Sequence, residues 1–162
     1  IIYFIMIEQI YNYFTIETIY LWLNIGVIPF WLVLIFFPQS KICSIFIASI
    51  FPIFIFSLIY CYLIYLAFLN DYDFLSNFKL YLGVDEIIQL FSNTTYLLLF
   101  WIHFLAINLF CGGWIVKDYH KYGLSKILVF FPILITYFVG PLGIFVYWFI
   151  RIFYAKKISL YE

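Results

Sequence analysis

Charge is what this chain has least of: 10% of its 162 residues are Asp, Glu, Lys or Arg, 68% are hydrophobic, and the net charge is zero. Soluble domains carry about a quarter charged residues and about half apolar ones, so a soluble globular fold is excluded and a membrane protein is implied. No stretch gathers the Lys and Arg density that a phosphate backbone requires, which excludes nucleic acid as a partner. The cysteines Cys43, Cys61 and Cys111 are odd in number, widely spaced and set in apolar segments. They support neither a disulfide framework nor a zinc site, and read as small membrane-core residues. Histidine is scarcer still: His103 has no second histidine at i+3 or i+4 and no nearby glutamate, and His120 lies outside the apolar run. Neither a metal centre nor a haem-ligating pair is expected. Residues 1–15 lack a basic start and a small-residue cleavage site, so no cleavable targeting segment is expected.

What is abundant is long apolar sequence. A bilayer core of about 30 Å needs about 20 apolar residues per helix, and four stretches reach that length. The expected fold is therefore all-α, an integral membrane bundle of four transmembrane helices with kinked first and fourth spans and short interfacial helices. Residues 1–15, broken by Glu8, Gln9 and Asn12, are expected to lie in the interface or pack on a partner, and residues 16–157 to form the transmembrane domain. Span one runs from about Thr18 to Phe37, with Pro29 removing a donor at mid-membrane. Asn24 lies about one turn away, suited to an interhelical hydrogen bond. Span two runs from about Cys43 to Leu69. The acidic loop that follows contains VDEIIQLF (Val84 to Phe91), whose apolar spacing predicts a short amphipathic helix. Asn93-Thr94-Thr95 matches a glycosylation sequon but reads better as the cap of span three. Span three runs from about Thr95 to Val116. Span four, about Ile127 to Tyr154, carries Pro132 and Gly140-Pro141-Leu142-Gly143, which should break or kink it near its middle.

Four crossings would place both termini and the acidic loop on one side. Lys79, Arg151, Lys156 and Lys157 then face Lys41, Lys117, Lys121 and Lys126 on the other, a tie that leaves the positive-inside rule silent. Seven of the eight acidic residues fall on the terminal side and weigh towards that side being outside.

Polar groups concentrate in WIHFLAINLFCGGWIVKD, Trp101 to Asp118. At about 100° per residue, Trp101, Leu105, Asn108 and Gly112 share one face, and His103, Ile107, Phe110 and Trp114 the opposite one. The histidine and the asparagine should therefore serve different neighbours. His103 can donate and accept, which suits a structural hydrogen bond as well as proton transfer. Four spans with one embedded histidine and no embedded carboxylate make a poor ion path, which disfavours a transporter or channel.

Asn24-Ile25-Gly26-Val27-Ile28-Pro29-Phe30-Trp31 running to Pro38, Phe91-Ser92, Trp101-Ile102-His103, Asn108-Leu109-Phe110, Trp114-Ile115-Val116 with Asp118, and Gly140-Pro141-Leu142-Gly143 occur in series. In that order they resemble the neoxanthin-synthase-like family, the plant abscisic-acid-deficient type four proteins and their bacterial relatives. The resemblance covers about Leu21 to Phe153 and implies a four-helix organellar membrane protein that, in plants, takes part in making neoxanthin from violaxanthin. That reaction opens an epoxide while removing a proton from the polyene, and needs an acid at oxygen and a base at carbon. The family pattern has an aspartate where this chain has Asn108, and often a basic residue near Gly113. An amide holds a hydrogen bond but exchanges no proton near neutral pH.

Two functions follow as expectations. One is a non-catalytic accessory subunit of a larger organellar membrane complex, motivated by the missing charged pair and by an aromatic exterior of 22 Phe and 16 Tyr. Phe, Tyr and Ile also share AT-rich codons, which points to an organellar or AT-biased genome. The other is a carotenoid-epoxide isomerase with His103 and Asp118 carried over as acid/base and positioning groups. Asn24, Trp101, Asn108, Gly112, Gly113 and Gly140 are the expected ligand-binding or helix-packing positions. No cofactor is expected beyond a bound carotenoid or lipid; the partners are membrane lipid and other membrane subunits. The expected location is an organellar membrane, mitochondrial inner or plastid/thylakoid.

Overall fold

The computed structural model describes residues 14–156 and 158. Of the segment expected over residues 1–15, only Phe14 and Thr15 fall within it, and Lys157 falls outside. The first helix, α1 (Ile16–Phe36), runs unbroken through Pro29. A turn of π-helix, Cys43–Ile47, follows, and α2 (Phe51–Leu69) begins only after a bend over residues 48–50. The single helix expected from Cys43 is therefore divided. Ser49 holds the division, because its Oγ donates to the Phe46 carbonyl at 3.0 Å and accepts from the Phe51 amide at 3.1 Å. Pro52 then sits in the first turn of α2, where a missing N–H costs nothing.

The acidic loop contains a 3₁₀ helix, Phe74–Tyr81, opened by Asp73, whose carboxylate accepts from the Leu75 amide at 3.0 Å. It packs beside α3 (Val84–Ser92), the amphipathic helix legible in VDEIIQLF. Asn93 Oδ1 accepts from the Tyr96 amide at 3.1 Å, so it caps the start of α4 (Thr94–Lys121). Helices α1, α2 and α4, at 21, 19 and 28 residues, are long and apolar enough to cross a membrane.

The expected fourth span differs. It consists of two short apolar helices, α5 (Lys126–Phe138) and α6 (Gly140–Ala155), 13 and 16 residues long, separated at Val139. At 1.5 Å per residue these measure about 20 and 24 Å, short of the core thickness. They pack against each other as a hairpin. Val139 leaves the helical region with φ −143° and ψ 89°, and Pro141 starts α6 where its absent donor is harmless. Contact between the two helices is closest at Gly143. A Cβ there would meet Thr136 Oγ1, the Thr136 amide nitrogen at 2.5 Å and the Pro132 carbonyl at 2.7 Å. Thr136, fully buried, turns its hydroxyl back onto that same Pro132 carbonyl at 2.7 Å.

The chain forms two compact units. One comprises the chain up to Gly26 with Leu58–His103, and its buried residues include Ile19, Leu23, Leu63, Leu98 and Ile102. The other comprises Val27–Ser57 with the chain from Phe104, and buries Val27, Leu34, Leu109, Ile115, Val129 and Ile133. Outward faces remain apolar, with Phe54, Phe68, Phe110 and Phe131 all more than half exposed. That is the surface a lipid solvent accepts.

The glycines separate close approach from mere absence of bulk. At Gly113 a Cβ would meet only ordinary contacts, 3.5 Å from Ala48 Cα and 3.6 Å from the Ile47 carbonyl. Gly143→Ala should destabilise the fold by about 1–3 kcal/mol through overpacking against backbone, whereas Gly113→Ala should leave the unfolding temperature in detergent nearly unchanged. Equal effects of the two substitutions on thermal unfolding would show the hairpin contact to be wrong.

Candidate functional site

Within the second unit, one cluster brings buried polar chemistry together. Asp118 and Tyr122 lie one helical turn apart at the end of α4; Tyr147 and Arg151 lie one turn apart on α6. Each i,i+4 pair presents its side chains on one face, and the two faces meet. Arg151 Nε donates to Asp118 Oδ2 at 2.7 Å, and the side chains are 1% and 7% exposed. The Tyr147 hydroxyl donates to the same oxygen, also at 2.7 Å. Arg151 Nη2 donates to the Tyr122 hydroxyl at 3.2 Å, and the guanidinium stands 5.0 Å from the centre of the Tyr122 ring. The edge of Trp114 closes on Tyr147, with ring centres 5.7 Å apart and planes at 88°.

Arg151, counted from the sequence only among the basic residues of the terminal side, takes a structural role in this cluster. It is the only charged residue between Ile127 and Ala155 and it is completely buried. Tyr147, Tyr122 and Thr136 were not singled out by the sequence at all. The available signal was the four-residue spacing of Tyr147 and Arg151 in an otherwise apolar stretch. An isolated charge at membrane depth costs several kcal/mol, so such a residue requires a partner.

The face division of α4 reappears as burial: Leu105, Asn108 and Gly112 are buried, while His103, Ile107 and Phe110 are exposed. His103 therefore points away from the packed face. Fifteen residues of helix separate it from Asp118, an axial rise of about 22 Å. The two candidate catalytic groups are not brought together.

The packing positions fall in two places. In the first unit, Trp101 Nε1 donates to Asn24 Oδ1 at 3.3 Å, and Asn24 Nδ2 donates back to the Tyr20 carbonyl at 2.7 Å, tying α4 to α1. In the second unit, Gly112 admits the Trp31 ring: a Cβ there would lie 2.9 Å from two of its carbons. Asn108, 2% exposed, sets its Oδ1 against Gly140, where any Cβ would collide with it. Its Nδ2 has no hydrogen-bond partner among the described residues, nor has the buried Tyr119 hydroxyl. The Gln39 amide is a neighbour of Tyr119 but does not meet hydrogen-bond geometry with it. No group of three or more His, Cys, Asp or Glu side chains lies together among the described residues.

Apolar spanning helices, a polar clamp inside a folded-back helix pair and an aromatic exterior define a multi-pass, all-α integral membrane protein. The family model described as ABA DEFICIENT 4-like matches residues 18–147, and the chain belongs to this ABA4-like, neoxanthin-synthase-like family. The match takes in His103, Asn108, Asp118 and Tyr147 and stops before Arg151. No curated protein and no solved structure matches the chain significantly.

Removing one partner of the buried pair, as Asp118→Ala or Arg151→Met, should cost about 3–5 kcal/mol, because the pair's attraction is lost while the remaining charge stays buried. The double variant should lose less than the sum of the single losses. A double-mutant cycle on detergent unfolding measures this; strict additivity would mean that the two side chains do not interact.

Proposed function

We propose that this chain is a non-catalytic accessory subunit of a larger organellar membrane complex, built on the ABA4-like fold. The observation that carries the proposal is the state of the two candidate catalytic groups. Asp118 is engaged by Arg151 and Tyr147 through one oxygen, and is buried. His103 is exposed some four helical turns away along α4. A proton-transfer mechanism needs its acid and base around one substrate position, and this pair does not supply that. Asn108 offers an amide where a proton carrier would be wanted. Exposed Phe and Tyr side chains offer large rigid contact area to another membrane subunit. Gentle solubilisation in native detergent should therefore yield the chain in a stable assembly of several times its own 19.6 kDa mass. Recovery of a lone chain, with folded spectra and no companion, would overturn the proposal.

One observation favours a second reading, the carotenoid-epoxide isomerase of the family resemblance. The Tyr147 hydroxyl and Asp118 share a proton donor and acceptor at 2.7 Å in a buried site. Such a pair could protonate an epoxide oxygen while a second group removes the polyene proton, an isomerisation with no net redox change. Expression in a host rich in violaxanthin tests it. Neoxanthin should then appear with the wild type and fall at least tenfold with Tyr147→Phe at equal protein level, in keeping with the contribution of a general acid. Unchanged pigments with a folded, membrane-inserted protein would exclude it and leave the subunit reading standing.

A further inference from the structure

The fold-back of α5 and α6 redistributes the charges. An unbroken fourth crossing would carry Arg151 and Lys156 to the face opposite Lys117, Lys121 and Lys126. The contact between Arg151 and Asp118 at 2.7 Å removes that crossing, since Asp118 stands in the last turn of α4. The chain from Lys117 to Lys156 thus begins and ends on one face of the membrane. Lys41 follows the end of α1; α2 and α4 are each long and apolar enough to cross a membrane, and two such crossings would return the chain to the same face by Lys117.

The second unit, taken by itself, carries Lys41, Lys117, Lys121, Lys126 and Lys156, all exposed. Its single carboxylate among the described residues is Asp118, which is buried and paired with Arg151. No exposed acid in that unit balances Lys41, Lys117, Lys126 or Lys156 among the described residues. The first unit shows the reverse: Glu17, Asp71, Asp73, Asp85 and Glu86 against Lys79 alone. Glu17 lies in the first turn of α1, and Lys41 follows the end of that helix. Local helix stability does not account for Lys126. Lys126 lies in the first turn of α5, where the helix dipole disfavours a cation.

We infer that this lysine-bearing end is an electrostatic anchor for the anionic phosphate headgroups of one lipid leaflet, and that it fixes the chain with Lys41, Lys117, Lys126 and Lys156 on the face from which the protein is inserted. The positive-inside bias and the negative potential of an anionic leaflet act in the same direction on such a distribution. The inference holds whether the chain is a subunit or an enzyme.

The experiment has two arms. In a cysteine-free background expressed in bacterial inner membrane, Lys41→Cys should react with an impermeant maleimide from the cytoplasmic face and Asp85→Cys from the periplasmic face. The opposite pattern, or labelling of both from one face, would overturn the orientation. In nanodiscs, competition between phosphatidylglycerol and phosphatidylcholine should show a preference of about threefold to tenfold for the anionic lipid at low salt. That preference should approach unity at high salt and in the variant Lys41→Gln/Lys117→Gln/Lys126→Gln/Lys156→Gln, which leaves Lys121 over the Tyr122 ring. Equal affinity for both lipids in the wild type, or full competition by inorganic phosphate at equal concentration, would overturn the anchor.

Discussion

The ion pair between Asp118 and Arg151 is the contact on which the second unit depends. In water such a pair adds little, because each ion gives up hydration to form it. Within an apolar bundle neither ion has that alternative, and each takes the other as its counterion. The consequence reaches beyond the pair. Arg151 belongs to a stretch apolar enough to be taken for a crossing helix, and its partner stands at the end of α4. Satisfying both ions brings the end of α6 back to the end of α4. Tyr147 adds a second donor to the carboxylate and Tyr122 a second acceptor to the guanidinium, so the charge is spread over four side chains.

The remaining contacts are of the kind lipid permits. Burial of Leu or Phe against another helix gains little in a membrane, where the solvent is equally apolar. Specificity must come from close approach and hydrogen bonding instead. Gly143 lets α6 reach the backbone of α5 at Pro132 and Thr136, and Gly112 lets the Trp31 ring lie on α4. Asn24 and Trp101 supply the corresponding polar contact in the first unit. The same economy leaves aromatic side chains on the outside, which is what the composition foretold without saying where.

Periodicity and turn chemistry made much of the fold legible. The helix in VDEIIQLF, the cap at Asn93, the two faces of α4 and the break at Gly140-Pro141 all follow from residue spacing. The fold-back was not legible, because hydropathy treats a kinked crossing and two halves folded together alike. A lone arginine near the end of an apolar run reads as a snorkelling anchor until its counterion is located. The division of the second span at Ser49 was hidden for a similar reason: a serine inside an apolar run carries no mark of which backbone groups it will hold. Of the candidate site, His103 stood out by its chemistry and Asp118 by the family pattern. Their separation followed from the length of α4, while the engagement of Asp118 required knowing what folds against it.

A chain whose catalytic candidates are divided between an exposed histidine and a structural ion pair is consistent with a family fold put to use as an assembly element. The return of α6 to the end of α4 is the feature that sets the arrangement of the second unit. The most direct test is to place single cysteines at Lys126 and Lys156 in a cysteine-free background and label sealed vesicles with an impermeant maleimide. The fold-back predicts that both react from the same face of the membrane. Labelling from opposite faces would restore a fourth crossing and contradict the pairing of Asp118 with Arg151.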